Sequence, residues 1–577
     1  MPLELVKPGM KGIGKSVFLG STIEEFGVEI LGILKNVGPK KNIILARLSG
    51  KGLENTGVIA GMSGSPVYID GKLIGAVALS FASFAKEPIA GITPIGEMLA
   101  VKEQKRPAPP SVSASFPIRP SLSLEDLLAI HKDIFSARPS LLSQGQMLRP
   151  LDIPLIFSGF SSSAVEKAKQ IFAPLGFYPV TSGGGTGQAV AGIPPVGQSL
   201  QEGDPVAVQL IAGDLSMSGV GTVTYVDGST ILAFGHPLYN LGATDYAMAM
   251  ANVLTVVPSL EVSFKLAETG AIVGRFVQDR SSGVLGEIGK MPRLVPLVVE
   301  LMDSEGTPKE FKLELVEDRL LTPLLLNVSI SSILSSEERA VGNLSCALDG
   351  DIYLDNGASV HVEDLFSGNF DAAITNLSGL LTAIVFYLGN NEFEDVGIHR
   401  INLRVRAVEE VKFASLERIW LDKYEVVPGE RIQVKIYYRT FGGQSFQEAV
   451  EIDAPRLPAG SEFYLVIADA ASMHQLETNL YRSQDFVPRN LGQLIRILNS
   501  IRKNNRIYFK MMASKPGLFL KGEELPNLPP SMKSMFASPR AAASAPTELT
   551  KSTLREYQLP IAYVFRGMAT IPVRIKK

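Results

Sequence analysis

Gly61-Met62-Ser63-Gly64-Ser65-Pro66, continued at once by Val67-Tyr68-Ile69-Asp70-Gly71-Lys72-Leu73-Ile74-Gly75, is the stretch that decides the reading of this chain. Acyl transfer needs a hydroxyl presented on a tight turn, with backbone N–H groups aimed at the developing oxyanion. Ser63 is such a hydroxyl, and the N–H groups of Gly61 and Ser63 are the candidate oxyanion donors. Glycine at 61 and 64 permits the sharp turn and a close approach of substrate to the backbone. Pro66 leads into a strand whose partner returns across Asp70-Gly71, a strong two-residue hairpin signal. The plainer alternative is a Gly/Ser loop between two strands. The other common serine arrangement, the elbow G-x-S-x-G, is excluded because Ser65 stands where it needs glycine.

The chain has 577 residues, so about three to five structural units are expected at about 150 residues each. Hydrophobic residues make up 46% and charged residues 20%, with abundant Val, Ile, Leu, Gly and Pro, a composition that reads as globular and β-rich. A net charge of -3 leaves no electrostatic footprint for nucleic acid. The single cysteine, Cys346, excludes an internal disulfide and any cysteine-cluster metal site, and is expected to be a buried apolar residue. No run reaches the ~18 apolar residues of a membrane span; the longest candidate, Leu380 to Leu388, is half that. Met1-Pro2-Leu3-Glu4-Leu5 does not read as a secretory signal, which leaves the cytoplasm, or a leader missing from this chain, as alternatives.

From Gly12 to about residue 100, short β-type runs alternate with turn signals, in the number expected of one barrel. Ile95 to Glu103 reads as a short helix. Residues 104 to 123 are Pro/Ser-rich and read as a linker, followed by helical patterns at Leu124 to Phe135 and Ser162 to Leu175. Gly183-Gly184-Gly185-Thr186-Gly187 lacks the Gly-Lys-Ser/Thr ending of a phosphate loop and reads as a plain loop. A second β region runs from Pro205 to Ile288, and one of its strands ends in Phe234-Gly235-His236-Pro237. Helical lengths return at Leu324 to Ser336 and Ala372 to Leu388. Beyond residue 410 another β unit opens, with Pro428-Gly429-Glu430-Arg431 in the manner of a sandwich domain.

A serine nucleophile needs a base, and the chain offers five histidines. His131, His399 and His474 lie in polar surroundings, and His361 sits in an alternating strand. His236 ends an apolar strand between Gly235 and Pro237, where a ring is held rigidly at the rim of a barrel, as a general base requires. The alternative is a structural imidazole. For the carboxylate that orients the ring, Asp279 in Val277-Gln278-Asp279-Arg280 is the first candidate and Asp245 the second; the alternative for Asp279 is an ion pair with Arg280 in a loop, the commoner fate of such residues.

At these residues the chain resembles a chymotrypsin-like serine peptidase, and more closely the SpoIVB-type serine peptidase family. The resemblance rests on the serine turn with its Asp70-to-Gly75 hairpin, and on Gly221-Thr222-Val223-Thr224 leading to Phe234-Gly235-His236. It implies Ser63 as nucleophile and His236 as base. The implied fold is mainly β: a chymotrypsin-like double β-barrel in permuted order, with an α+β unit and a C-terminal β-sandwich-like domain. The sporulation members carry the histidine block before the serine block, whereas Ser63 comes first here. The family aspartate is expected shortly before the serine, yet Arg47-Leu48-Ser49-Gly50 holds no acid, and no peptide-binding PDZ module is recognisable.

The expected organisation is a serine-bearing barrel at 1–105, a linker and small α/β insert at 106–200 and a histidine-bearing barrel at 201–295. An α+β unit follows at 296–407, then the C-terminal domain at 408–577. The expected activity is serine endopeptidase action on protein or peptide substrates, with Ser63, His236 and Asp279 as catalytic residues and Gly61 and Ser63 as the oxyanion hole. No metal or organic cofactor, nucleic acid or transmembrane segment is implied, and a protein partner would be held by the C-terminal domain. The resemblance also implies an extracytoplasmic location. A scaffold that kept the barrels and lost the chemistry is the rival reading, and a plain β-rich envelope protein a further one.

Overall fold

The computed structural model describes residues 1–576 other than 40, 82–85, 104–125, 128, 130–147, 183–199, 338–341, 392, 394–395, 482–487, 489, 515–516, 521–522, 527–528, 530, 533–534 and 536–546. The expected linker at 104–123, the glycine-rich loop at 183–187 and His131 therefore lie outside the described residues, as does nearly all of the helical pattern at 124–135.

The first barrel is built from β1 (Lys11–Val17), β2 (Ile23–Gly38), β3 (Lys41–Ser49), β4 (Pro66–Ile69), β5 (Lys72–Phe81) and β6 (Ile89–Pro94). They pair in the order β4-β1-β2-β3-β6-β5, and a β4–β5 pairing closes the ring, so these strands leave no free edge. Strand alternation supplies the interior: Phe26, Val28, Ile30, Ile44, Ala46, Leu48, Ile69 and Ile74 form one buried cluster. The hairpin at Asp70-Gly71 pairs Ile69 with Lys72, and both turn residues have positive φ, 48° and 71°. That is the two-residue turn whose twist matches the flanking strands.

Three further short strands, β7 (Leu148–Pro150), β8 (Ile153–Ser158) and β9 (Phe177–Thr181), precede the second barrel. Its strands are β10 (Pro205–Gly213), β11 (Ser216–Asp227), β12 (Thr230–Ala233), β13 (Gly242–Val257), β14 (Phe264–Arg280) and β15 (Gly283–Ile288). The ring β10-β13-β14-β15-β12-β11 is closed by a β10–β11 pairing. The chain is thus mainly β, with two six-strand barrels in the manner of a chymotrypsin-like fold, the serine block in the first and the histidine block in the second.

Beyond residue 288 the strands β16 (Leu294–Met302), β17 (Pro308–Val316), β18 (Asn343–Leu354), β19 (Ser359–Asn369) and β20 (Ile398–Val408) continue the second barrel's sheet through a β10–β17 pairing, and β8 and β9 extend it through β11. Strand pairing and a common apolar core therefore run across residues 200 and 295. Helices Leu321–Glu337 and Phe370–Gly389 contribute to that core. The second is 20 residues long and apolar enough to cross a bilayer, although no membrane-length run was expected there; 78% of its apolar window is buried inside the protein, as in a core helix. The C-terminal residues form a four-stranded sheet from Phe413–Leu421, Arg431–Thr440, Ser445–Asp453 and Val564–Arg566. A five-stranded sheet lies against it, and Ile432, Val434, Ile436, Phe463, Leu465, Phe509 and Phe565 share one core between the two, as in a sandwich.

Candidate active site at the barrel interface

Residues 59–67, which carry Ser63, are buried throughout. Residues 57–60 form no strand of the first barrel, because this segment's hydrogen bonds go to the other barrel: the Ala60 N–H donates to Ser263 O at 2.8 Å and the Lys265 N–H to Ala60 O at 3.0 Å. Within the turn, Met62 N–H donates to Ile59 O, Ser65 N–H to Met62 O, and Gly64 N–H to Val77 O. The Gly61 and Ser63 N–H groups make no such backbone bond among the described residues. Gly61 and Gly64 have φ of +95° and +99°, conformations that favour glycine.

Gly64 is required for a second reason. A Cβ there would stand 1.9 Å from Thr222 O and 2.6 Å from Phe234 N, both backbone atoms of the second barrel. The contact is fastened by three bonds from one strand: Thr222 N–H to Ser63 O at 2.8 Å, Thr222 Oγ1 to Gly61 O at 2.9 Å and Thr224 Oγ1 to Gly64 O at 2.7 Å. Gly221-Thr222-Val223-Thr224 is therefore the bracket that holds the serine turn.

His236 reaches the same interface at the end of β12. Phe234 and Gly235 both have positive φ, 67° and 68°, which bends the chain sharply where the strand stops. Thr93 Oγ1 of the first barrel donates to Gly235 O at 2.7 Å, and a Cβ on Gly235 would lie 3.1 Å from the Ala78 Cβ. The ring is 2% exposed, and its Nδ1 lies 2.9 Å from Pro237 O. A carbonyl oxygen only accepts, so Nδ1 carries the proton in that bond and Nε2 is the nitrogen left to act as base. The two blocks thus meet backbone to backbone. Ser63 is 0% exposed and its hydroxyl has no hydrogen-bond partner among the described residues, so in this closed arrangement it is not bonded to the imidazole.

Asp279 lies on β14 near this corner, fully buried. Its Oδ1 accepts from Leu238 N–H at 2.8 Å, and its Oδ2 from Tyr239 and Asn240 N–H at 2.7 Å each. The carboxylate therefore grips the loop that follows His236-Pro237. Burial pushes its pKa up to about 6, against the opposing pull of those N–H donors. Asp245, the other candidate, is bonded to the Arg275 guanidinium at 3.1 Å and accepts Arg293 N–H at 2.8 Å. Of the remaining histidines, exposed His361 pairs with Asp351 across a strand ladder, exposed His399 lies 3.6 Å from Asp355, and His474 is on the helix Ala470–Tyr481.

Two features of the site carry little signal in the sequence. Thr222 and Thr224 stand out in the sequence only as part of the motif leading to His236, whereas their hydroxyls clasp the serine turn. Lys265 is the second, standing on the inward phase of β14 with Ala267. A lysine in register with inward residues was the available signal.

The sequence comparison agrees with the serine turn. Residues 4–95 match the model of the SpoIVB peptidase S55 family. No curated protein and no solved structure matches the chain. The matched segment contains the first barrel and Ser63, and it stops before His236. The first barrel is similar to the SpoIVB peptidases of family S55, as the resemblance carried by Ser63 and its hairpin implied.

Proposed function

We propose that the protein is a serine endopeptidase that cleaves protein or peptide substrates through an acyl-enzyme. The observation that carries this reading is the seating of the Ser63 turn on Thr222 and Phe234, two residues before His236, through a glycine that leaves no room for a side chain. In the reaction, Ser63 Oγ attacks the scissile carbonyl while His236 Nε2 takes its proton. The Gly61 and Ser63 N–H groups receive the oxyanion. Collapse expels the amine, which takes the proton from His236, and water then repeats the sequence with the acyl group as the electrophile.

Pro237 O accepts a hydrogen bond from Nδ1–H throughout, so the imidazole keeps the tautomer that the first step needs. Asp279 serves as a positioning residue by fixing the loop from 238 to 240 behind that carbonyl. Because Ser63 and His236 are both buried, turnover requires the interface to open far enough to admit a peptide and to bring Oγ within hydrogen-bond reach of Nε2. The C-terminal sandwich is assigned to holding a substrate or protein partner. The extracytoplasmic location rests on the family resemblance alone, and cell fractionation tests it.

The activity is tested with fluorescently labelled casein and the purified chain. Cleavage that disappears in Ser63→Ala and in His236→Ala supports the reading, whereas cleavage that survives both variants refutes it.

A further inference from the structure

Lys265 is fully buried at the barrel interface, and nothing in the proposed reaction uses it. Its contacts bracket the serine turn. The Lys265 N–H donates to Ala60 O at 3.0 Å, ahead of Ser63. Its side-chain stem covers Gly61, where a Cβ would meet the Lys265 Cβ, Cγ and Cδ at 3.2 to 3.3 Å. Its Nζ donates to Ser16 Oγ at 2.8 Å, and Ser65 Oγ donates to the same oxygen at 3.0 Å, behind Ser63. The Phe18 ring lies 5.9 Å from Nζ.

We propose that Lys265 is a positioning residue of the Ser63 turn, pinning Gly61 with its stem and Ser65 through Ser16, so that the order of the turn follows the charge on this one amine. The proposal concerns the same site as the proposed function but is read through the backbone rather than through turnover.

The surroundings explain why charge matters. β1 carries Lys11 and Lys15, and Lys15 Nζ stands over the Tyr68 ring, whose hydroxyl is bonded to Glu202. The turn from 57 to 65 and the facing stretch of β13 from 253 to 257 carry no charged residue. Among the described residues no carboxylate pairs with Lys265, and burial alone brings its pKa down to about 7. As an amine, Nζ satisfies Ser16 without a buried charge. As an ammonium it holds three protons in an apolar corner, and any motion that wets it is favoured.

The test is amide hydrogen exchange over the turn, residues 57–66, in the full chain at pH 6 and pH 8, corrected for intrinsic exchange rates. If opening exposes the amine to water, the protection of the wild-type turn rises about tenfold from pH 6 to pH 8, by the linkage between a buried pKa of about 7 and an ordinary one of 10.5. In Lys265→Met that Lys-dependent rise disappears. Lys265→Gln is the second variant should the first not fold. The His236 and Asp279 side chains are present in all three proteins, so the difference between them reports Lys265. Equal pH dependence in wild type and variants overturns the proposal. Casein cleavage is scored separately: its absence at any pH in a wild type that shows the exchange difference would count against the peptidase reading and leave the Lys265 assignment standing.

Discussion

Gly64→Ala tests the contact on which the site depends. The new Cβ would lie 1.9 Å from Thr222 O, 2.6 Å from Phe234 N and 2.9 Å from the Thr222 carbonyl carbon, all of them backbone rather than adjustable side chain. Reaching ordinary contact requires the Thr222 carbonyl to withdraw by about 1.5 Å. That displacement stretches the Thr222 N–H bond to Ser63 O and the Thr222 and Thr224 hydroxyl bonds to Gly61 O and Gly64 O. Three lost bonds at about 1 kcal/mol each, with about 1–2 kcal/mol for alanine in a left-handed conformation, give a destabilisation of roughly 4–5 kcal/mol. Gly71→Ala is the matched control: its φ is +71°, nothing lies within 4 Å of the added Cβ, and the expected cost is only the conformational part, about 1–2 kcal/mol. Urea unfolding should be followed by hydrogen exchange of the barrel peptides, because the one tryptophan, Trp420, lies in the C-terminal sandwich and does not report on the barrels. A Gly64→Ala protein no less stable than Gly71→Ala would refute the close packing of the serine turn on the second barrel.

Asp279→Asn should lower turnover by about two to four orders of magnitude without unfolding the chain, since an amide oxygen and an NH2 group cannot both accept from the N–H groups of 238 to 240; an unchanged rate would remove Asp279 from the site. The same variant should alter the pH dependence of stability. A carboxyl with a folded pKa raised to about 6 contributes stability that is complete below its unfolded pKa of 3.8 and lost as pH rises through 6, an effect of about 3 kcal/mol that circular-dichroism melts of Asp279→Asn should lack. For Lys265 the sign is opposite: with a folded pKa lowered to about 7, stability is present above 10.5 and lost as pH falls through 7. Lys265→Met should therefore lose about 5 kcal/mol of pH dependence between those values, and melts with wild-type slopes would contradict the burial argument. Thr222→Val keeps the shape and removes the hydroxyl bond to Gly61 O, and is expected to cost about 1 kcal/mol in urea unfolding, with slower cleavage.

The parts of this molecule legible in the sequence are those that depend on neighbours along the chain. Asp70-Gly71 announces its hairpin because both residues tolerate positive φ, and the amphipathic helix Ser162–Phe172 announces its start through Ser161, whose Oγ accepts Ala164 N–H. His236 stood out among five histidines because an apolar strand ends at a Gly-His-Pro step. What stayed hidden depends on distant pairings. Parallel pairing of β16 with β20 joins Leu297 to Ile401, and no local pattern specifies a contact across that separation. Lys265 was obscured because a strand lysine ordinarily faces water, and only the barrel-to-barrel contact shows that its side of β14 is enclosed. Asp279 is legible only as an acid placed after the histidine; its grip on three backbone N–H groups follows from the approach of the 238–240 loop to β14, which the sequence does not encode locally.

The central claim is that Ser63 and His236 work as one nucleophile, and covalent labelling with a fluorophosphonate, with the adduct located by peptide mass spectrometry, tests it most directly. The account predicts an adduct on Ser63 that is absent from Ser63→Ala and forms at least about a hundredfold more slowly in His236→Ala. Folded wild-type protein that cleaves casein without acquiring an adduct on Ser63, or a His236→Ala protein that labels as fast as the wild type, would contradict it.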